Sequence, residues 1–355
     1  MLQVLSERLL PALQLTRMAL VLTAVSNSLC TYLLALQSRS TGEVPLWQQL
    51  QAGPMVLIAL IAIGLYGFGM ALNDIIDRRR DRQLAAYRPL PSGRIRLATA
   101  HAICLSLVAM AILCSIQYAR MSPSRSGWMS IVLMLWTGLL IAFYDLAGKY
   151  LVATGLLALG LIRFFNAVIP SPQLPVVWHP VLLFTHVTVL SAVAYVWEGK
   201  RPPLTRLHWW VVLGGVALID VLAVGGIYYR SYNLEHIGSI WPVPGLLLPA
   251  GAVVAFTLLA IHIRRHSAGL REAGQSLMLA GLLWLIVYDS AFVAAYVGLP
   301  YGLGLLGLLP LSYLGVQCMR WWSRLVLLSQ QPTYKRQRGV SKSGRGGEAS
   351  GTNNV

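Results

Sequence analysis

The chain has 355 residues, of which 56% are hydrophobic and only 11% are charged. A soluble domain usually carries about 25% charged residues, so this composition argues against a soluble fold and indicates that lipid is the solvent. The formal net charge of +16 could suggest nucleic-acid binding. The distribution of the basic residues, described below, is instead typical of a membrane protein, and we expect no nucleic-acid partner.

Ten apolar runs follow one another along the chain, and each approaches the roughly 20 residues that a helix needs to cross a bilayer. They lie near residues 18–37, 53–72, 97–117, 128–144, 151–169, 176–197, 208–229, 244–263, 276–297 and 300–318. A spanning helix satisfies its own backbone hydrogen bonds. The sequence therefore predicts an all-α, polytopic transmembrane bundle of nine or ten helices.

The basic residues predict the orientation of these helices. With ten helices and both termini inside, the outside segments contain only four of the basic residues, Arg39, Arg120, Arg125 and Arg230. An excess of Lys and Arg on the cytoplasmic side is the general rule, so we expect a multi-pass protein of the inner or plasma membrane with cytoplasmic termini. We expect residues 1–330 to form one transmembrane domain. The Gly-, Ser- and Lys/Arg-rich residues 331–355 are predicted to be a disordered basic cytoplasmic tail.

The second apolar run ends abruptly in the sequence NDIIDRRRD, residues 73–81. Asn73, Asp77 and Asp81 are spaced four residues apart, and Asp74 lies on the same broad helix face. Carboxylates this close together repel one another unless a cation lies among them. Mg²⁺ prefers such oxygen ligands and is often shared with a substrate phosphate. The position at a membrane boundary favours an amphiphile with an apolar tail and a phosphorylated head.

The loop that follows reads RPLPSGRI, residues 88–95. Its two prolines and its glycine predict a fixed turn. Arg88 and Arg94 can each form paired hydrogen bonds with phosphate oxygens. A basic cytoplasmic loop needs no such purpose by itself, and only the adjacent carboxylates favour this interpretation.

These two motifs together resemble the UbiA superfamily of intramembrane prenyltransferases. The resemblance continues in Tyr144 and Lys149 after the fourth helix, and in Arg163 and Asn166 on one face of the fifth. This later pattern is similar to the EboC-like branch of the superfamily. The resemblance covers roughly residues 15–320.

The resemblance implies a Mg²⁺-dependent transfer of an isoprenoid chain from a polyprenyl diphosphate to a lipophilic, often aromatic, acceptor within membrane lipids. It implies that Asn73, Asp74, Asp77 and Asp81 hold Mg²⁺ on the diphosphate. Lys149 and Arg163 would then stabilise the departing phosphate, and the ring of Tyr144 would lie near the allylic cation. The diphosphate itself would contact five further residues: Arg88, Asn166, Glu198, Lys200 and Arg201.

The second Asp-rich motif of the superfamily is expected after the sixth helix, where this chain differs from the pattern. Glu198 is the only carboxylate there, and Lys200 and Arg201 follow it. Two interpretations stay open. The basic pair can neutralise the diphosphate in place of a second metal ion, or the chain can be a non-catalytic protein that transports or handles a lipophilic metabolite.

Three other acidic residues lie within or at the end of apolar runs, and such residues are functional hypotheses because a charge in the membrane is costly. Asp145 ends the fourth run. Asp220, in the seventh, is interpreted as structural. Asp289, in the ninth, is either functional or a hydrogen-bonding link between helices.

Overall fold

The computed structural model describes residues 10–40, 44–86, 88–121, 127–174, 176–233 and 243–329. In these ranges the regular secondary structure is entirely helical. The α-helices are, in chain order, α1 Leu10–Leu15, α2 Val21–Arg39, α3 Leu46–Gln49, α4 Ala52–Ile76, α5 Arg78–Leu84, α6 Leu97–Met121, α7 Gly127–Leu146, α8 Val152–Val168, α9 Trp178–Trp197, α10 Arg206–Asn233, α11 Leu247–His266, α12 Leu270–Tyr296, α13 Leu299–Leu306 and α14 Leu308–Ser329.

The described residues contain nine helical segments long and apolar enough to cross a membrane. A further apolar helix, α8, has 17 residues. At about 1.5 Å per residue α8 is about 25 Å long, near the lower limit for a spanning helix. The predicted all-α bundle is confirmed, and α8 explains why the sequence indicates either nine or ten helices. The predicted tail, residues 331–355, lies outside the described residues.

Close packing in the bundle depends on small residues at helix contacts, as is common in membranes. The contact between α4 and α6 is an example. A Cβ atom on Gly64 of α4 would lie only 2.7 Å from the carbonyl oxygen of Leu107 on α6. Glycine at this position therefore allows the two backbones to approach. This contact holds α4, whose end carries the predicted metal-binding residues.

Helix α12 is central to the second half of the bundle, because it packs against α2, α9, α11 and α13. Helix α14 covers the start of α2. The Ser312 hydroxyl donates a hydrogen bond to the carbonyl oxygen of Ala19 at 2.8 Å, and Gly315 lies beside Ala19. The last described helix thus closes over the chain segment that precedes the first long helix.

Candidate functional site

Asn73, Asp77 and Asp81 remain on one side of the chain at the end of α4, although the helix is interrupted there. The backbone of Asp77 departs from helical geometry between α4 and α5. The Asp77 N–H still donates to the Asn73 carbonyl oxygen at 2.9 Å, and the Asp81 N–H donates to that of Asp77 at 2.8 Å. The predicted four-residue spacing therefore places Asn73, Asp77 and Asp81 along one side of the chain.

Lys149 forms an ion pair with Asp77, one of these residues. Its Nζ atom lies 2.7 Å from Oδ1 of Asp77, and the two side chains are only 11% and 16% exposed. Lys149 lies on a short 3₁₀ turn, Gly148–Tyr150, between α7 and α8. Gly155 of α8 approaches the Gly148 carbonyl oxygen so closely that a Cβ atom would collide with it. This close approach fixes the turn that carries Lys149.

Asn73 joins a further carboxylate, Asp145, to the group. The Asn73 amide is best oriented with its nitrogen donating to Oδ2 of Asp77 at 3.2 Å and to Oδ1 of Asp145 at 3.1 Å. The opposite orientation offers only one contact, from Lys149, at 3.5 Å. We prefer the first because it satisfies more hydrogen bonds. Asp145 is 2% exposed. We call Asn73, Asp74, Asp77, Asp81 and Asp145 the aspartate cluster.

Arg88 connects the predicted basic loop to the aspartate cluster. Its Nη1 atom donates to Oδ2 of Asp81 at 2.6 Å and lies 3.6 Å from Oδ1 of Asp74. Leu90 and Ile95 of the same loop are buried in an apolar cluster. Gly93 adopts a φ of 77°, which glycine accommodates without strain. Buried apolar residues thus anchor the loop and hold Arg88 against the carboxylates.

Arg17 is a functional candidate that the sequence interpretation did not select. It lies between α1 and a 3₁₀ turn, Met18–Leu20, and its φ of 45° is unusual for a residue with a side chain. Its Nη2 atom lies 3.6 Å from Oδ1 of Asp74. Such strained backbone positions cluster at functional sites. Here the strain accompanies an arginine directed at a carboxylate.

The aspartate cluster borders a cavity of about 580 Å³. Its charged lining comprises one carboxylate and four arginines, namely Asp74, Arg17, Arg88, Arg94 and Arg320. Arg94 donates a hydrogen bond to Gln14 at 3.0 Å, and partial burial lowers the pKa of its guanidinium below the ordinary value. Arg320 comes from α14. We call this space the arginine cavity, and its positive excess suits an anionic ligand.

Arg163 and Asn166 lie in different surroundings from the aspartate cluster. Arg163 is 9% exposed, donates to Oδ1 of Asn27 at 3.4 Å and lies over the Tyr66 ring at 5.8 Å. Asn166 donates to the Ala24 carbonyl oxygen at 3.0 Å. The described contacts of Asn166 are therefore with α2.

Asp289 completes the surroundings of Arg163. The Asn27 amide donates to Oδ2 of Asp289 at 2.8 Å, and Nε2 of His179 lies 2.7 Å from Oδ1. Nδ1 of His179 lies 3.2 Å from the Thr31 hydroxyl. We call Asn27, Thr31, Arg163, His179 and Asp289 the buried network. It joins α2, α8, α9 and α12, so Asp289 links helices through hydrogen bonds.

The described contacts of the segment after α9 are with residues outside the aspartate cluster. Glu198 packs against Gly274 of α12, and its Oε2 atom lies 3.0 Å from Nζ of Lys200. Lys200 and Arg201 are exposed. Within the described residues, the ion pairs of the aspartate cluster come instead from Arg17, Arg88 and Lys149.

For Asp145 and Asp220, the contacts in the structure can be compared with the interpretation made from the sequence. Asp145 carried a sequence signal, since it ends an apolar run, but its link to Asn73 is visible only in three dimensions. Asp220 accepts a hydrogen bond from the Thr185 hydroxyl at 2.8 Å. This contact between α9 and α10 agrees with the structural interpretation of Asp220.

The fold and the site together define a multi-pass integral membrane protein with carboxylates and arginines gathered at the end of one helix. Residues 28–172 match the model described as the UbiA prenyltransferase family. This match supports the predicted resemblance to the superfamily over residues 28–172. The matched range runs from α2 past α8 and includes the aspartate cluster, Lys149 and Arg163. The EboC-like branch stays a prediction.

Two curated relatives match a short part of the chain, and both are named digeranylgeranylglyceryl phosphate synthase. The protein from Methanococcus vannielii is 36% identical over 63 residues, which is 18% of this chain and 23% of the relative. The protein from Methanococcus maripaludis is 40% identical over 62 residues, which is 18% of this chain and 22% of the relative. The chain thus spans less than a quarter of the length of these relatives.

A solved structure supports the fold over a much longer range. It is described as "Structural and mechanistic insights into the biosynthesis of Digeranylgeranylglyceryl phosphate synthase in membranes". The similarity covers 82% of this chain and 99% of that chain, with a TM-score of 0.54 and 19% sequence identity. At this identity the likeness establishes the fold, and the activity has to be argued from the site.

Proposed function

We propose that the protein is a prenyltransferase that moves an isoprenoid chain from a polyprenyl diphosphate to a lipophilic acceptor, with Mg²⁺ as cofactor. The observation that carries the proposal is the convergence of Asp74, Asp77 and Asp81 with Lys149 and the arginines at one helix end. The family domain and the names of the two relatives support the same reaction class.

The donor atoms of the aspartate cluster fit a magnesium ion. Oδ1 of Asp74 is buried and accepts no hydrogen bond from the described residues. Its two arginine neighbours lie 3.6 Å away, beyond hydrogen-bond distance. An underused carboxylate oxygen beside Asp77 and Asp81 is the hard ligand that Mg²⁺ prefers. We propose that these three carboxylates hold the ion. The resemblance placed Asn73 among the ligands, but we propose that its amide instead orients Asp77 through its hydrogen bonds to Asp77 and Asp145. The bound ion would neutralise charge on the diphosphate.

The basic residues then have distinct tasks around the diphosphate. Lys149 stands beside Asp77, where it can stabilise the charge that develops as the carbon–oxygen bond to the diphosphate breaks. Arg17 and Arg88 flank Asp74 and can form hydrogen bonds with phosphate oxygens. Because Arg88 is already held by its hydrogen bond to Asp81, little ordering of its side chain is needed when the diphosphate binds.

Two tyrosines are suited to the allylic cation left by diphosphate departure. Tyr144 precedes Asp145 and lies within electrostatic range of Asp77 and Arg17. Tyr66 lies about two helical turns before Asn73 on α4, and its ring faces the Arg163 guanidinium at 5.8 Å. Ring faces attract cations and exclude water, so they can protect the cation until the acceptor captures it.

The charge of the arginine cavity favours an acceptor that itself bears a phosphate. The cavity lining contributes four arginines against one carboxylate. Arg94 and Arg320 therefore add positive charge beyond the pair that flanks Asp74. The relatives' names describe a product with a phosphate group. A phosphate-bearing lipid alcohol is the acceptor class that we propose.

A non-catalytic role in handling a lipophilic metabolite is the competing proposal. The observation in its favour is that Glu198 is paired with Lys200 and packed on α12, so that no second carboxylate site is formed there. Arg17 and Arg88 offset this absence, because they place beside Asp74 the positive charge that a second metal ion would otherwise provide to the diphosphate.

The decisive experiment follows product and released diphosphate. Purified protein is incubated with radiolabelled prenyl diphosphates of several lengths, Mg²⁺ and a panel of acceptors, half of them phosphorylated and half neutral. We expect labelled lipid with phosphorylated acceptors, and none in EDTA or with Asp77→Asn. Neither product nor released diphosphate with any acceptor would favour the handling role. Product with neutral acceptors alone would refute only the acceptor class.

A further inference from the structure

A second cavity, of about 490 Å³, lies between α9 and α11. Both helices pack on α12, which forms the floor of this lateral cleft. The indole N–H of Trp284 on α12 donates to the Ala252 carbonyl oxygen on α11 at 3.1 Å. Helix α11 is exposed along most of its length. The cleft therefore opens toward the surrounding lipid.

The lateral cleft is polarised along its length. Most of its lining is aliphatic or aromatic, and the positive charge is confined to Arg264 and Arg265. These two arginines occupy the last turn of α11. The Arg264 guanidinium lies over the ring of Trp197, the last residue of α9, at 5.9 Å. Aromatic and basic residues at helix ends are typical of the level at which lipid headgroups lie.

Tyr288 on the floor of the cleft and His186 on its α9 wall form their hydrogen bonds within the protein. The Tyr288 hydroxyl lies 3.2 Å from Nδ1 of His186, and Nε2 of His186 lies 3.1 Å from the Gly281 carbonyl oxygen. The His186 ring also packs edge-on against Phe256, with centroids 4.6 Å apart. This part of the cleft thus presents aromatic surface, and these two side chains need no polar partner from a ligand.

The length of the cleft matches one leaflet of a bilayer. Its lining on α11 runs from Val253 to Arg265. At 1.5 Å per residue this is about 18 Å. Half of a bilayer hydrocarbon core is roughly 15 Å. An acyl chain with its headgroup at the arginines would therefore reach the end of the cleft near the middle of the membrane.

We propose that the lateral cleft binds one anionic phospholipid, with its phosphate at Arg264 and Arg265 and an acyl chain between α9 and α11. This site is separate from the arginine cavity. Leu277 lines the cleft and Leu279 lines the arginine cavity. Leu277 and Leu279 are two positions apart, and on a helix this separation turns the side-chain direction by about 200°. The two spaces therefore lie on opposite faces of α12. The proposal does not depend on prenyl transfer.

Native mass spectrometry of the full-length protein in detergent tests the choice of headgroup. The probes are dioleoyl phosphatidylglycerol and dioleoyl phosphatidylcholine, which share their acyl chains. We expect one retained phosphatidylglycerol and weaker retention of phosphatidylcholine. Since one basic residue near anionic lipid contributes about fivefold to binding, Arg264→Gln should weaken phosphatidylglycerol binding about fivefold. Arg271→Gln, an exposed arginine outside the cleft, is the matched control.

A second variant tests the location without changing charge. Val189 lines the cleft and is 42% exposed. Val189→Trp should fill the space and reduce phosphatidylglycerol retention, while its elution profile stays that of a folded protein. Equal retention of the two lipids would overturn the proposal. So would equal effects of Arg264→Gln and Arg271→Gln, or undiminished lipid binding by Val189→Trp.

Discussion

The aspartate cluster and the buried network are two ways of holding charge inside the same membrane protein. In the buried network, Asn27 lies between Arg163 and Asp289, and His179 satisfies the remaining carboxylate oxygen. In the aspartate cluster, Oδ1 of Asp74 accepts no hydrogen bond from the described residues. A closed set of partners is typical of structure, whereas an underused carboxylate beside a charged cavity is typical of binding.

The comparison predicts that loss of charge in the buried network mainly harms stability. Asp289→Ala would remove the carboxylate that pairs directly with His179 and that Arg163 reaches through Asn27. Breaking a buried pair in this way costs about 3–5 kcal/mol, so we expect a large fall in the free energy of unfolding. Thermal or denaturant unfolding in detergent measures it.

Asp220→Ala is the control for this experiment, because Asp220 is partly exposed and has a single described partner, Thr185. Its loss should cost about 1 kcal/mol, as for one hydrogen bond. Similar destabilisation by both variants would show that Asp289 is no more important to the fold than a simple helix–helix contact.

In the aspartate cluster the same kind of change should harm activity and leave stability nearly intact. Asp74→Asn keeps the shape of the side chain but removes a charged metal ligand. We expect the Mg²⁺ concentration for half-maximal transfer to rise by at least roughly 10–100-fold. Initial rates measured across a Mg²⁺ series test this, and unfolding of the same sample provides the control. An unchanged Mg²⁺ dependence would remove Asp74 from the proposed metal site.

Arg17 should have a smaller effect on transfer, because it is 42% exposed. A buried donor to a developing anion is worth about 10²–10³ in rate, and solvent reduces this for an exposed one. We expect Arg17→Gln to lower kcat/KM about tenfold and Arg17→Lys to recover part of the loss. If both variants act alike, the charge of Arg17 has no part in transfer.

Arg320 should have the smallest effect, since it is an exposed residue at the wall of the arginine cavity. We expect Arg320→Gln to raise KM a few-fold, about the worth of an exposed ion pair, with kcat unchanged. Kinetics with a phosphorylated acceptor measure the effect, and Arg271→Gln is the control. A loss of kcat instead of KM would contradict this binding role.

The helices and the aspartate cluster could be predicted because their signals are local in sequence. Apolar runs gave the bundle, and Asp74, Asp77 and Asp81 lie within eight residues of one another. Arg17 could not be predicted, since it is far from Asp74 in sequence and approaches it through an unusual backbone conformation. Sequence spacing describes one helix face and gives no information about which distant segment covers it.

Arg163 differs from Arg17, because the sequence selected this residue but did not identify the residues that surround it. The resemblance to the superfamily implied that Arg163 stabilises the departing phosphate and that Asn166 contacts the diphosphate, and these roles stay untested. The structure surrounds Arg163 with Asn27 and Tyr66. Asp289, which Arg163 reaches through Asn27, lies on the ninth predicted run, so contacts across the bundle decided the environment. A basic residue in an apolar helix predicts that a partner exists without identifying it.

The most direct test of the central claim is equilibrium binding of geranylgeranyl diphosphate to the purified protein, measured with Mg²⁺ and with EDTA. The account predicts saturable binding that requires Mg²⁺, is lost in Asp77→Asn and is retained in Asp220→Asn. Binding that is independent of metal and unaffected by Asp77→Asn would contradict it, because the carboxylates at the end of α4 would then not hold a metal-bound diphosphate.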